Sequence, residues 1–155
     1  MRGKKYLILT YLLTALIVFY FSTSSEKQVI SNYNVAFGFE DFIQILLKNS
    51  IASIWLLLAY IFGESIIYIF FIINGVVLGL LLSSFSSITY LLLVLPHGMI
   101  EIGSYVYVSD TIMNMRNQNQ DKKKVTKRFI VSFLLLALAA GVETFITPFM
   151  INFIS

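Results

Sequence analysis

Residues 65–85 read SIIYIFFIINGVVLGLLLSSF, a run of 21 residues with no charged side chain and a single amide, Asn74. The hydrocarbon core of a bilayer takes about 20 helical residues to cross. The run therefore reads as a membrane span, Ser65–Phe85. Only Gly63-Glu64-Ser65 separates it from the apolar stretch before it, so the chain must turn back tightly there. Working outward, further spans are expected at Tyr6–Phe21, Phe42–Phe62, Ile88–Val108 and Phe129–Phe153. The fold class is all-α: a polytopic membrane helix bundle of about five transmembrane helices.

Composition agrees with that reading. Hydrophobic residues make up 58 % of the 155-residue chain and charged residues 12 %, with a mean hydropathy of +0.85. A soluble domain carries about twice that charge. The longest polar stretches, Ser22–Gly38 and Asp110–Arg128, are too short to bury cores of their own. Residues 1–155 thus form a single integral membrane domain, expected in the cell membrane as a multi-pass protein. The chain contains no cysteine, which excludes a disulfide framework, a thiolate zinc site and a cysteine nucleophile.

The pI of about 9.1 does not mark a nucleic-acid-binding protein, and no nucleic-acid partner is expected. The basic residues flank apolar runs, at Arg2, Lys4 and Lys5 and again between Arg116 and Arg128, which is an orientation signal. Four spans between the two clusters put both clusters, and with them the N-terminus, in the cytoplasm, and the fifth span takes the C-terminus outside. Nine of the eleven Lys and Arg residues then lie inside. Lys27 falls in the outer loop, and Lys48 is expected to snorkel outward from the second span. The stretch Tyr6–Phe21 has the basic flank of a signal peptide. The adjoining "YFSTSSEK" offers no small-residue cleavage site, so an uncleaved anchor is expected. In "FEDFIQILLKN", Phe39, Phe42, Ile43, Leu46 and Leu47 share one helical face, so Phe39–Asn49 reads either as a surface helix or as part of the span.

Polar side chains at membrane depth are costly, about 2.5–3.5 kcal/mol for a charged group at the helix centre. Asn49, Asn74, His97, Glu101 and Glu143 therefore stand out. His97, the chain's only histidine, and Glu101 are four residues apart and share a helical face. Ser104 continues that face toward the cytoplasm. Pro96 cannot donate to the carbonyl of Leu92, and Pro148 likewise frees the carbonyl of Thr144 beside Glu143 and Thr147. Gly75 and Gly79 make a small-xxx-small face next to Asn74 that allows close helix approach or self-association. If these faces meet, the bundle holds a carboxylate–imidazole–carboxylate cluster roofed by asparagine.

Polar groups in membrane helices also act as fasteners, at about 0.6 kcal/mol each. Asn49 and Asn74 read mainly in that way. An ionisable carboxyl is a poor fastener where asparagine would serve, so His97, Glu101 and Glu143 are the candidate catalytic residues. A carboxyl shielded from water can act as general acid or base, or pass protons. The same three could in principle ligate zinc, but the metal signal is weak: no H-E-x-x-H occurs and there is one histidine. No cofactor is expected. The basic inner loop reads as a topology signal that can attract anionic lipid.

Taken together the motifs resemble the stage II sporulation protein M family of membrane proteins. "LPHGMIEI" (95–102) resembles the family signature. "KNS" at Asn49, "FGES" at Gly63, "IINGVVLG" at Asn74, Gly75 and Gly79, and "AAGVETFITP" at Glu143, Thr147 and Pro148 come in the same order. The resemblance covers Asn49 to Pro148, roughly two thirds of the chain. It adds Pro96, Gly98 and Thr147 to Asn49 and Asn74 as substrate-binding or structural positions. The sporulation member works in a peptidoglycan-remodelling complex, whereas the outer loop here, Ser22–Gly38, leaves little surface for such a partner. Short members are associated with circular bacteriocin gene clusters.

This resemblance and the polar set point to two functions from different classes. One is maturation of a hydrophobic circular bacteriocin by an intramembrane peptidase or peptide cyclase, with export or producer immunity as related roles. Its partners would be membrane lipid and a hydrophobic peptide precursor. The other is a non-catalytic membrane subunit assembling with other membrane subunits or a transporter.

Overall fold

The computed structural model of the chain describes residues 2–22, 38–84, 88–117 and 121–154. Every described residue is helical except Gly38, Leu57, Gly63 and Asp121, and no strand occurs among them. The helices are α1 (Arg2–Ser22), α2 (Phe39–Leu56), α3 (Leu58–Phe62), α4 (Glu64–Ser84), α5 (Ile88–Asn117), α6 (Lys122–Gly141) and α7 (Thr147–Ile154). A π-helical turn, Val142–Ile146, joins α6 to α7. Most of the outer loop Ser22–Gly38, with Lys27, and the end of the third expected span at Phe85 lie outside the described residues.

Four stretches are long and apolar enough to cross a membrane: Lys4–Ser22, Phe39–Phe62, Glu64–Ser84 and Lys122–Met150. The protein is a multi-pass membrane protein built as a helical bundle. Its coat is apolar, with Ile54, Trp55, Ile61, Val77 and Leu134 all exposed, as lipid solvent allows. The fifth rod, α5, carries the PHGMIE stretch and touches every other helix and the π turn. On the faces that these neighbours cover, it can hold polar groups that a lipid-facing surface cannot.

The segment Phe39–Asn49 is no separate surface helix: α2 runs through it unbroken. Asp41 caps the start by accepting from the Gly38 N–H at 2.8 Å, and with Glu40 it places negative charge at the positive end of the helix. A tightened turn at Leu57, whose N–H donates to the Ile54 carbonyl at 2.9 Å, leads into α3. The chain then reverses on Gly63 alone. Its φ of +95° with ψ of −175° is open in practice to glycine only, and the Arg116 guanidinium lies where a side chain would begin.

α1 and α4 pack side by side and in parallel. Gly75 faces Tyr11 and Thr14, and Gly79 faces Ala15 and Val18, so both sequence numbers rise together along the contact. A Cβ at Gly75 would sit 2.7 Å from the Tyr11 carbonyl oxygen. The glycine face is thus used inside the chain, against α1. Parallel packing is what two spans crossing in the same sense require, with α2 and α3 as the return.

At one end of the bundle Asp110 on α5 joins Lys4 of α1 at 2.9 Å and Arg128 of α6 at 3.7 Å. Arg128 also lies over the Tyr107 ring, 5.9 Å from its centre. Both basic clusters therefore occupy the same end, as the charge pattern demands. Asp110→Asn leaves Lys4 and Arg128 facing each other without their counter-charge. It should cost about 1 kcal/mol, read as a lower unfolding temperature in detergent. The difference from the unmodified protein should shrink as salt rises.

Candidate functional site

Toward the other end of the bundle, α1, α2, α4, α5 and the π turn line a half-open cavity of about 250 Å³. α5 supplies its polar spine. His97, Glu101 and Tyr105 recur every fourth residue and so stack on one face, and all three line the cavity. The Tyr105 hydroxyl donates to Glu101 Oε1 at 2.8 Å and lies 3.5 Å from the backbone carbonyl of Asn49 on α2. Phe70 of α4 holds the Tyr105 ring edge-on, with centroids 5.0 Å apart. Glu101 is thereby tied into position by its own helix and by two neighbours.

From α4 comes Asn74, whose Nδ2 donates back to the Phe70 carbonyl at 2.8 Å. From α2 come Asn49, which is buried, and Lys48, which stands on the exposed side of the wall. Glu143 arrives from the π turn. Pro148 has no N–H to give to an α-helical ladder, and the turn before it widens. The Thr147 N–H donates to the Val142 carbonyl five residues back, and its hydroxyl reaches the same oxygen at 3.2 Å. Such a bulge inserts one residue and rotates α7 relative to α6. Phe145 stacks with Phe42 of α2, centroids 6.1 Å apart, which anchors the turn next to the second span.

Of the positions singled out in the sequence, Asn49, Asn74, His97, Gly98, Glu101 and Glu143 line this one cavity. Pro96 is exposed, and Thr147 turns its hydroxyl into the π turn; neither lines the cavity. Ser104, expected to extend the polar face, is instead fully buried and sits 2.6 Å from Ser132 of α6, hydroxyl to hydroxyl. There the fastener role is realised.

Three titratable lining residues did not emerge from the sequence as site residues: Tyr11, Lys48 and Tyr105. Tyr105 could have been found by extending the four-residue spacing one step past Glu101. Tyr11 and Lys48 carry no such local signal, because their arrival depends on how α1 and α2 pack.

Glu101 interacts electrostatically with Glu143, His97 and Lys48, and Glu143 with Lys48. Among the described residues no three His, Asp or Glu side chains are grouped so as to hold a metal ion, His97, Glu101 and Glu143 included. The arrangement offers two carboxyl groups from different helices, an imidazole, an ammonium and two amides, all facing one space within an apolar bundle. Such a set can accept and return protons and can hydrogen-bond a peptide group.

No curated protein and no solved structure matches the chain. The family model described as Stage II sporulation protein M matches residues 7–148, a range that runs from α1 to Pro148 and takes in every residue lining the cavity. The match thus covers most of the bundle together with its polar centre, and the chain belongs to the stage II sporulation protein M family.

Proposed function

We propose that the protein acts at the cell membrane on a hydrophobic peptide precursor. The role is maturation, by leader removal or head-to-tail cyclisation, or export or immunity, of a hydrophobic circular bacteriocin. The observation that carries the reading is that Glu101 and Glu143 share one cavity with His97 and Lys48. Val77 and Leu81 of α4 also line that cavity while being exposed to the lipid side, so an apolar chain in the bilayer has a route to it.

In leader removal one carboxylate takes a proton from water as its oxygen attacks the peptide carbonyl. A carboxylic acid then gives a proton to the departing amine as the C–N bond breaks. Asn49 or Asn74 would polarise the carbonyl. Low water content favours capture of an acyl group by an amine over hydrolysis.

Glu143→Gln, expressed with a precursor peptide, tests this. Folded yield is expected to stay and the mature peptide, read by mass, to fall sharply. Normal maturation by this variant would remove the mechanism.

A second reading, a non-catalytic membrane assembly subunit as in a peptidoglycan-remodelling complex, has an observation of its own. The Tyr105–Glu101 hydrogen bond and the nearby Asn49 carbonyl link α5 to α2, which is the behaviour of a fastener. On that reading Glu143→Gln loses folded yield and function together.

A further inference from the structure

The cavity has a charge imbalance. Its ionisable lining is Tyr11 from α1, Lys48 from α2, His97, Glu101 and Tyr105 from α5, and Glu143 from the π turn; α4 contributes no titratable group. With both carboxyl groups ionised, Lys48 ionised and His97 neutral, one negative charge is in excess. A net charge among apolar helices is expensive, and it is relieved by a bound proton or by a bound cation.

The same cavity has room that the fold does not use. Gly98 lies inside α5, where glycine costs about 1 kcal/mol relative to alanine. Its backbone does not need glycine, since among the described residues only Gly63 has a positive φ. Its neighbours do not need it either, since a Cβ there would meet nothing within 4 Å. Gly103 is equally open, but it is exposed and away from the cavity. Gly98 lines the cavity between His97 and Glu101, so the missing side chain leaves a seat beside the carboxylate.

We propose that this seat takes a primary ammonium group on an apolar chain, namely the free amino end of a hydrophobic peptide, in exchange for a proton. The empty site holds the proton on a carboxyl group. When the ammonium enters, that O–H bond breaks, the proton leaves to solvent, and the ammonium donates its hydrogen bonds to Glu101 and Glu143. The assignment of the amine to a peptide rests on the function proposed above, in which leader removal creates an amino end and cyclisation consumes one. Lys48 is then a competitor for the carboxylates, standing at the wall.

The full chain is reconstituted in nanodiscs of phosphatidylglycerol and phosphatidylcholine, which carry no primary amine. The probe is a short leucine–alanine peptide with a free amino end and an amidated carboxyl end, compared with its N-acetyl form. Calorimetry in two buffers of different ionisation enthalpy gives affinity and proton count together. The free amine is expected to bind about tenfold tighter or more than the acetylated form, with about one proton released per peptide.

Glu101→Gln should weaken binding and abolish proton release. Lys48→Gln should tighten binding, because it removes the competing cation, a sign that a merely structural lysine would not produce. Gly98→Leu should block both peptides at normal folded yield. Equal binding of the two peptides, weaker binding in Lys48→Gln, or unaffected binding in Gly98→Leu would each overturn the proposal. Loss of peptide binding when phosphatidylethanolamine is added to the disc would assign the seat to a lipid amine and overturn the peptide. Binding as expected by a protein that matures no peptide would overturn the proposed maturation chemistry and leave this inference standing. Maturation without amine binding would do the reverse.

Discussion

Alanine at Gly79 should cost the bundle about 1–3 kcal/mol, and alanine at Gly75 a similar amount. The added methyl at Gly79 would sit 2.6 Å from the Ala15 carbonyl oxygen and 2.7 Å from Val18 Cβ. At Gly75 it would meet the Tyr11 carbonyl and, at 2.9 Å, Thr14 Cβ. These are backbone and Cβ atoms, which cannot swing aside as the tip of a long side chain can, so the two helices must separate. In lipid that separation is not opposed by a hydrophobic force, only by lost close packing. α1 touches no helix other than α4 and α5 among the described residues, so little else holds it. Thermal unfolding in detergent should show each single variant destabilised and the pair more so. A protein with both alanines that melts like the original would show that α1 does not depend on this contact. The cavity should suffer as well, because Tyr11 in its wall comes from the displaced helix.

Glu101→Gln is the second large effect, expected on function rather than on stability. Glutamine keeps the carbonyl oxygen that accepts the Tyr105 hydroxyl at 2.8 Å, so the contact holding α5 in register survives. What is lost is the group that can carry a proton. Removing a general acid or base lowers a rate by about 10²–10⁴-fold, and formation of mature peptide should fall within that range while folded yield stays within error. Tyr105→Phe separates position from proton transfer. It removes the hydrogen bond, leaves the carboxyl, and should lower the rate by less than Glu101→Gln does. Normal folded yield with normal product in Glu101→Gln would mean that the residue only fastens α5 to its neighbours, since glutamine keeps that contact.

Much of the bundle could be read along the chain, since a helix in lipid announces itself by length and apolarity. The charge-free run Ser65–Phe85 and the tight Gly63 turn were evident, as was the placement of both basic clusters at one end, which Lys4, Asp110 and Arg128 realise by meeting there. The stacking of His97 on Glu101 comes from helical spacing, a property of one element alone. Thr147 was a different matter. An ideal helix would have carried Thr147 and Glu143 on one face, but the proline after Thr147 opens a π turn in which the hydroxyl serves the backbone.

What the sequence determined by itself, then, is where the helices run, that both basic clusters share one end, and which residues share a helical face. Only the tertiary structure decided which faces meet. It set Gly75 and Gly79 against α1, paired Ser104 with Ser132, and brought Lys48 to the wall beside Glu101 and Glu143. The reason is physical. Between helices in a membrane the solvent is as apolar as the side chains, so hydrophobic pattern does not select a partner face. Shape, close backbone approach and hydrogen bonds select it, and these exist only once the helices are side by side.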